Sequence, residues 1–247
     1  MKTIIVLPAY NAHKTLQLTL DDIPKDCADE IILVDDASSD GTYDLAKKLG
    51  LTAIRHEANT GYGGNQKTCY MKALEAGADL VVMIHPDHQY DPRLTPYLTG
   101  LIKDGICDMV LGNRIRTRTE ALAGGMPVYK YFSNRFLTLL ENTLTGQNLG
   151  EWHSGMRAYS RKLLETVNWE SFSDDFVFDT QMLVAAAHAG FRIGDVPAPP
   201  KYFEDASSIS FKRSMIYGIS SLWILTRYMT HRFTCIKYAP LTTKCKK

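Results

Sequence analysis

The sequence predicts an α/β fold, with a mostly parallel sheet flanked by helices and a C-terminal helical extension. Three segments carry that expectation. Ile31-Ile32-Leu33-Val34 stops at Asp35-Asp36-Ala37-Ser38-Ser39-Asp40-Gly41-Thr42. Lys2-Thr3-Ile4-Ile5-Val6-Leu7 stops at Pro8-Ala9-Tyr10-Asn11, and Leu80-Val81-Val82-Met83-Ile84 stops at His85-Pro86-Asp87-His88-Gln89-Tyr90-Asp91-Pro92. Continuous apolar runs suit strands covered on both faces, and ligands bind beyond the carboxyl ends of such strands. Three strand ends thus bring polar groups toward one edge.

The elements follow in order. Thr15 to Leu20 reads as a short amphipathic helix, completing a βαβ unit with the Asp-Asp strand. Thr42 to Leu49 has helical spacing and stops at Gly50, a residue suited to the left-handed conformation after a helix. A short strand over 51–56 leads into the glycine-rich Asn59-Thr60-Gly61-Tyr62-Gly63-Gly64-Asn65 and a helix to about Ala76. Pro92 to Lys103 reads as a helix with Asp91 as N-cap and Pro92 at its first position. Asp108 to Gly112 is a strand closing at Asn113-Arg114. Such alternation predicts a doubly wound domain.

Beyond Arg114 the pattern loosens. Residues 115–128 lack periodicity and read as a mobile loop. Tyr129 to Leu144 has helical spacing, Gly150 to Tyr159 is polar and reads as a lining segment, and Asp179 to Ala189 is a helix ended by Gly190. Ile193 to Pro197 resembles an edge strand, because Pro197, Pro199 and Pro200 stop further pairing. We expect one domain over 1–210 and an amphipathic helical extension over 211–247. Within the latter, Met215 to Met229 is apolar and aromatic with basic flanks, but short of the about 20 apolar residues of a spanning helix. It suits peripheral membrane contact, a homo-oligomer, or packing on the sheet, and periodicity does not separate these.

Composition narrows the function. The 247 residues are 45% hydrophobic, enough for a core, and 28 basic against 27 acidic residues give a net charge of +1. No general field attracts nucleic acid. Five cysteines without CxxC spacing indicate neither a zinc site nor a disulfide framework. A strand begins almost at once, without a secretion segment, so the expected location is cytoplasmic, at the inner face of the membrane if the C-terminal segment meets lipid.

The strand ends suit a nucleotide diphosphate. Pro8, Ala9, Tyr10 and Asn11 frame a base, and Asp35 and Asp36 offer acceptors to base or ribose; the competing role for the two carboxylates is turn formation around Ser38 to Gly41. Asp87, with Gln89 and His85 at alternating positions, offers ligands for Mg2+ or Mn2+. Asp91 is assigned to capping. The Gly61 segment lacks GxGxxG; it either lets backbone approach a ligand, with Lys67 beside it, or is a flexible turn.

These motifs, with Gly112-Asn113-Arg114 and Ser154-Gly155-Met156-Arg157-Ala158-Tyr159-Ser160, run in an order that resembles the family-two glycosyltransferases of GT-A (Rossmann-like) fold, within them the dolichyl-phosphate mannosyltransferase-like branch. The resemblance implies a nucleotide-sugar donor around Pro8, Tyr10 and Asp36, a metal on Asp87 helped by Gln89, and donor contact by Arg114. Three departures stand out: Ala12 replaces the usual glutamate, His85 replaces the first acid of Asp-x-Asp, and the acid usual before the Thr-Gly-x-Arg-like segment has no evident counterpart, although Glu151 and His153 lie close by. The implied reaction is inverting transfer to a polyprenyl phosphate or to a glycan or lipid hydroxyl. A hydroxyl acceptor needs a general base, for which Asp175 comes first and Asp179 second. A phosphate acceptor is already ionised and needs cations instead, with Arg157, Lys201, Lys212 and Arg213 as candidates. Residues 201–209 occupy the place of a mobile loop and read as a lid. The competing classes are a non-catalytic nucleotide-sugar-binding or scaffold protein and a nucleotidyltransferase, the latter disfavoured because no glycine-rich basic loop follows the first strand.

Overall fold

The computed structural model describes residues 1–199, 211–234 and 237–244. Lys201 and the 201–209 segment lie outside them, as does the side chain of Lys212. Seven strands form one sheet: β1 (Thr3–Ala9), β2 (Glu30–Asp35), β3 (Thr52–Arg55), β4 (Leu80–Met83), β5 (Met109–Asn113), β6 (Arg157–Ser160) and β7 (Ile193–Pro197), in the order β3-β2-β1-β4-β6-β5-β7. Neighbours run parallel except β6, which is antiparallel to both β4 and β5. This is the expected mostly parallel α/β sheet, consistent with GT-A architecture.

The apolar runs are continuous because both faces are covered. Alternate residues enter two different cores: Ile4, Val6, Ile32, Val34, Val81 and Met83 on one side, Ile5, Leu7, Leu33, Leu80 and Val82 on the other. The second core is closed by α1 (Leu16–Asp21), α2 (Thr42–Lys48) and α4 (Thr95–Lys103) through Leu16, Ala46, Leu98 and Ile102. The first is closed by α3 (Tyr62–Glu75) and by later helices. Beyond α5 (Arg118–Ala123), which packs in a small separate cluster through Ala121, these are α6 (Val128–Thr145), α7 (Arg161–Thr166), α8 (Phe178–His188) and α9 (Phe211–Phe233), of which α9 gives Ile224, Leu225 and Tyr228 to that core. No helix among the described residues is long and apolar enough to cross a membrane.

Several boundaries differ from expectation. The 115–128 stretch contains α5, because Thr117 caps it through Glu120 N–H at 3.1 Å and Arg116 pairs with Glu120. Two side-chain contacts there replace the missing apolar periodicity. Pro92–Leu94 is a 3-10 turn ahead of α4, with Asp91 accepting from Arg93 N–H as a cap. The expected polar lining over 150–159 is largely interior: Glu151, Trp152, Ser154 and Arg157 are fully buried, and β6 begins at Arg157.

Candidate active site

The carboxyl ends of β1 and β2 are adjacent, with Ala9 paired to Asp35. Tyr10, just beyond, is 59% exposed, as an aromatic that stacks a base must be, whereas Pro8 and Ala9 are buried in the strand. Asn11 takes a positive φ of 51° and stitches the two loops together. Its N–H donates to Ser38 Oγ at 2.8 Å and its side-chain carbonyl accepts from Ser39 N–H at 3.1 Å. Ala12 N–H donates to Thr42 Oγ1 at 2.8 Å. The Ser-Ser-Asp-Gly-Thr turn thus anchors the β1 loop.

The two carboxylates of β2 divide their work. Asp35 is fully buried; its Oδ2 accepts from Ser38 N–H at 3.2 Å and lies 3.4 Å from Arg55 Nε. Its Oδ1 accepts from no donor among the described residues. Asp36 holds the glycine-rich loop instead. Its Oδ1 accepts from His56 Nδ1, Thr60 N–H and Thr60 Oγ1, each at 2.8 Å, and its Oδ2 from Gly61 N–H at 3.0 Å. At 3% exposure Asp36 is closed to a ribose, and the loop-forming role wins there.

The glycines and Lys67 also serve the protein itself. A Cβ on Gly61 would lie 2.6 Å from Asp174 O, and one on Gly63 would lie 2.3 Å from Ser173 O. These positions let the N-terminus of α3 press against the 172–174 backbone, where Gly63 N–H donates to Asp174 O at 2.7 Å. Lys67 Nζ donates to the carbonyl of Phe172 and, at 2.7 Å, to Asp174 Oδ1. Neither Gly61 nor Lys67 is directed to a phosphate, because this backbone segment occupies the helix N-terminus.

Beneath lies a buried polar cluster centred on Asp179. Its Oδ2 accepts from Tyr62 OH at 2.7 Å and its Oδ1 from Gln66 Nε2 at 3.2 Å, while Arg157 Nη2 stands 3.6 Å away. Asp179 is 6% exposed, so the second-choice base is sealed by its own hydrogen bonds. Arg157 is fully buried and donates to the carbonyls of Ser154, Asp179 and Trp152 at 2.8, 3.0 and 3.1 Å. Burial opposes its charge, but the Asp179 carboxylate and the nearby tyrosines outweigh burial and raise its pKa. Such a guanidinium does not reach an acceptor phosphate. Asp175, the first-choice base, is exposed, with Oδ1 accepting from Phe176 N–H at 2.8 Å.

Sequence reasoning missed Tyr62. Its hydroxyl bridges Asp179 and, at 3.1 Å, His85 Nε2, and its ring stacks on His85 at 5.3 Å. The signal was present in the spacing: Tyr62, Gln66 and Tyr70 recur every four residues, and Tyr70 OH donates to Gln66 Oε1 at 2.6 Å. Burial pushes the His85 imidazolium down in pKa, against the pull of Asp87 and Asp179.

At the end of β4, Asp87 is partly buried, and its Oδ1 accepts from Gln89 N–H at 3.1 Å. Among the described residues no group of three or more His, Cys, Asp or Glu side chains could hold a metal ion. His85 Nε2 is committed to Tyr62. That leaves Asp87 as the one carboxylate of the 85–87 triplet, and an ion held there would need most of its shell from other ligands.

Arg114, at the end of β5, is fixed by Glu151. Its N–H and Nε donate to Glu151 carboxylate oxygens at 2.7 and 2.8 Å, and its Nη2 donates to the same carboxylate and to His153 O. Asn134 Nδ2 of α6 donates to Glu151 as well, at 2.8 Å. Burial raises the Glu151 pKa, but Arg114 overcomes it, and the net shift is downward. Arg213 sits exposed near the start of α9.

The family model for glycosyl transferase family 2 matches residues 4–167, more than half of the chain. The chain belongs to that family. This glycosyltransferase is 29% identical over 218 residues to the UDP-N-acetylglucosamine–dolichyl-phosphate N-acetylglucosaminyltransferase of Methanococcus voltae, covering 81% of this chain and 86% of the relative. It is 30% identical over 197 residues to the dolichyl-phosphate hexose transferase of Haloferax volcanii, covering 79% and 81%. Among solved structures, glucosyl-3-phosphoglycerate synthase from Mycobacterium tuberculosis, in complex with Mn2+, UDP-glucose and phosphoglyceric acid, superposes with a TM-score of 0.68 at 20% identity, covering 92% of this chain and 79% of that one. That likeness concerns the fold. Family membership makes the chain an enzyme, so the non-catalytic scaffold does not hold.

Proposed function

We propose that this glycosyltransferase moves a sugar, with inversion, from a nucleotide-diphosphate sugar to the phosphate of a polyprenyl phosphate, as in the dolichyl-phosphate mannosyltransferase-like branch, for cell-surface polysaccharide or glycoconjugate synthesis. The observation that carries the donor half is the polar edge where β1, β2 and β4 end side by side, which leaves the Tyr10 ring exposed and Asp87 only partly buried. For the acceptor half, relatives carry dolichyl-phosphate or undecaprenyl-phosphate in their names.

In the single displacement a phosphate oxygen of the acceptor forms a bond to the anomeric carbon. The bond from that carbon to the donor's β-phosphate oxygen breaks, and the nucleoside diphosphate leaves with the electron pair. Asp87 and Gln89 would hold Mg2+ or Mn2+, which when bound supplies Lewis-acid stabilisation of the leaving diphosphate. Arg114, held rigid by Glu151, orients the donor. Arg213, near the start of α9, would supply positive charge to the acceptor phosphate.

The test incubates purified enzyme with UDP-, GDP-, dTDP- and CDP-sugars, with and without Mn2+, and reads both melting temperature and labelled sugar transferred to a polyprenyl phosphate. One nucleotide should raise the melting temperature and support transfer, both lost in Asp87→Ala. Transfer to a glycan hydroxyl or to phosphoglyceric acid, with none to the polyprenyl phosphate, would refute the acceptor and return Asp175 to consideration as a base.

A further inference from the structure

Residues 149–155, between α6 and β6, supply two acceptors to Arg114, the Glu151 carboxylate and the His153 carbonyl. None of these seven residues takes part in a backbone-to-backbone hydrogen bond among the described residues. Side chains hold the segment instead. Asn142 Oδ1 of α6 accepts from Leu149 N–H at 3.0 Å and from Trp152 Nε1 at 2.7 Å. Gly150 N–H donates to Asp195 Oδ2 and Gly155 N–H to Tyr90 OH, each at 2.8 Å. Where no helix or strand ladder sets the backbone, the side chains along it decide where each carbonyl points.

Arg114 depends on one of those carbonyls. Its guanidinium is planar, so its aim is set by where its N–H groups find acceptors. Nε and Nη2 both donate to the same Glu151 oxygen, Oε1, which fixes where the group sits. The His153 carbonyl, 2.9 Å from Nη2, is the separate acceptor that fixes how the plane is turned. The His153 side chain is in turn held from two helices. Its Nδ1 lies 2.7 Å from Tyr217 OH of α9, the two rings meeting edge to face at 5.4 Å and 88°. Its Nε2 stands 3.3 Å from Glu141 Oε2 of α6. Tyr217 OH is anchored as well, 3.0 Å from Thr180 Oγ1 of α8, which lies 3.2 Å from Ser221 Oγ of α9. Thr180, Ser221 and Glu141 are all buried, so solvent does not compete for these contacts.

We infer that His153 is a positioning residue for Arg114 and that Tyr217 of α9 sets it, so that the C-terminal helix governs how the donor is held from behind the site. The hydroxyl of Tyr217 keeps the imidazole in place, the imidazole keeps the 153 carbonyl aimed at Nη2, and the carbonyl turns the guanidinium. The inference rests on the reading that Arg114 contacts the donor.

The experiment is a double-mutant cycle on the full chain, with Tyr217→Phe and Arg114→Lys made singly and together, and with His153→Leu and His153→Asn beside them. Calorimetric titration with UDP-, GDP-, dTDP- and CDP-glucose in the presence of Mn2+ gives Kd, and circular dichroism on heating shows that each variant folds. Arg114→Lys keeps a cation beside Glu151 but loses the planar fork. It and Tyr217→Phe should each weaken donor binding about three- to thirtyfold. In the Arg114→Lys background Tyr217→Phe should change Kd by less than about twofold, because both act through one group. His153→Asn, whose amide keeps a polar partner for Tyr217, should retain more of the affinity than His153→Leu. A lower melting temperature in Tyr217→Phe with Kd unchanged makes the tyrosine a packing residue and overturns the inference. So does an equal loss of affinity in both backgrounds, which places its effect elsewhere. In either case a weakened Arg114→Lys leaves the donor reading of Arg114 standing. Arg114→Lys that binds as the wild type does, or a wild type that binds none of the four, removes that reading and the inference with it.

Discussion

Arg157→Met separates two roles for one arginine. In sequence Arg157 is a cation for the acceptor phosphate; in the structure it is an interior partner of Asp179. Methionine would fill much of the volume but leave the Asp179 carboxylate without its cation, 3.6 Å away, and three buried carbonyls without a donor. Removing one partner of a buried pair costs about 3–5 kcal/mol. For a chain of this size each kcal/mol lowers the melting temperature by about 2–4 °C, so a fall on the order of 10 °C is expected. Adding Asp179→Asn removes the stranded charge, and the double variant should be less destabilised than the sum of the singles by about 0.5–3 kcal/mol. Calorimetry on the four proteins gives the coupling, and steady-state kinetics give KM for the acceptor. A melting temperature within about 2 °C of wild type, with acceptor KM raised more than about tenfold, would refute the interior role and restore phosphate binding.

Three further outcomes follow from the same geometry. Asp36→Asn places an amide donor among four hydrogen-bond donors and should cost about 1–3 kcal/mol in urea unfolding, with faster hydrogen exchange at Thr60 and Gly61. Gly63→Ala should destabilise by about 1–3 kcal/mol because its Cβ meets Ser173 O, whereas Gly100→Ala in α4, with open space, should be neutral or gain about 0.5–1 kcal/mol. Glu141 is pushed up from 4.5 by burial, 3.3 Å from a His153 that burial pushes down to about 3. Folded Glu141 thus keeps a proton that the unfolded chain releases, so its contribution is whole below about pH 4.5 and is lost as pH rises toward the raised value. Glu141→Gln should flatten that decline and raise the melting temperature at pH 8 by about 2–4 °C, read by scanning fluorimetry across pH.

The fold was legible where one physical constraint dominates. Burial on both faces demands unbroken apolar runs, and β1, β2 and β4 show them. β6 was harder to find because Arg157 stands at its first position, and three buried carbonyls together with Asp179 make an arginine acceptable there. α5 was hidden because its ends are secured by Thr117 and Arg116 rather than by an apolar stripe. At the site, Tyr10 and Asp87 sit where strand-end reasoning expects them. Gly61, Lys67 and Asp36 instead bind neighbouring backbone, which local sequence does not name.

The sequence by itself determined the class: apolar runs ending in carboxylates, in family order, specify an α/β sheet with a polar edge, because strand burial and turn chemistry are local properties. Only the tertiary structure decided which polar groups remain available at that edge. Asp179, Arg157, Asp36 and Lys67 are each claimed by partners 20 or more residues away in the chain. A side chain's chemistry is written in its own residue, but whether it is spent on the protein or left for a ligand depends on what folding brings beside it.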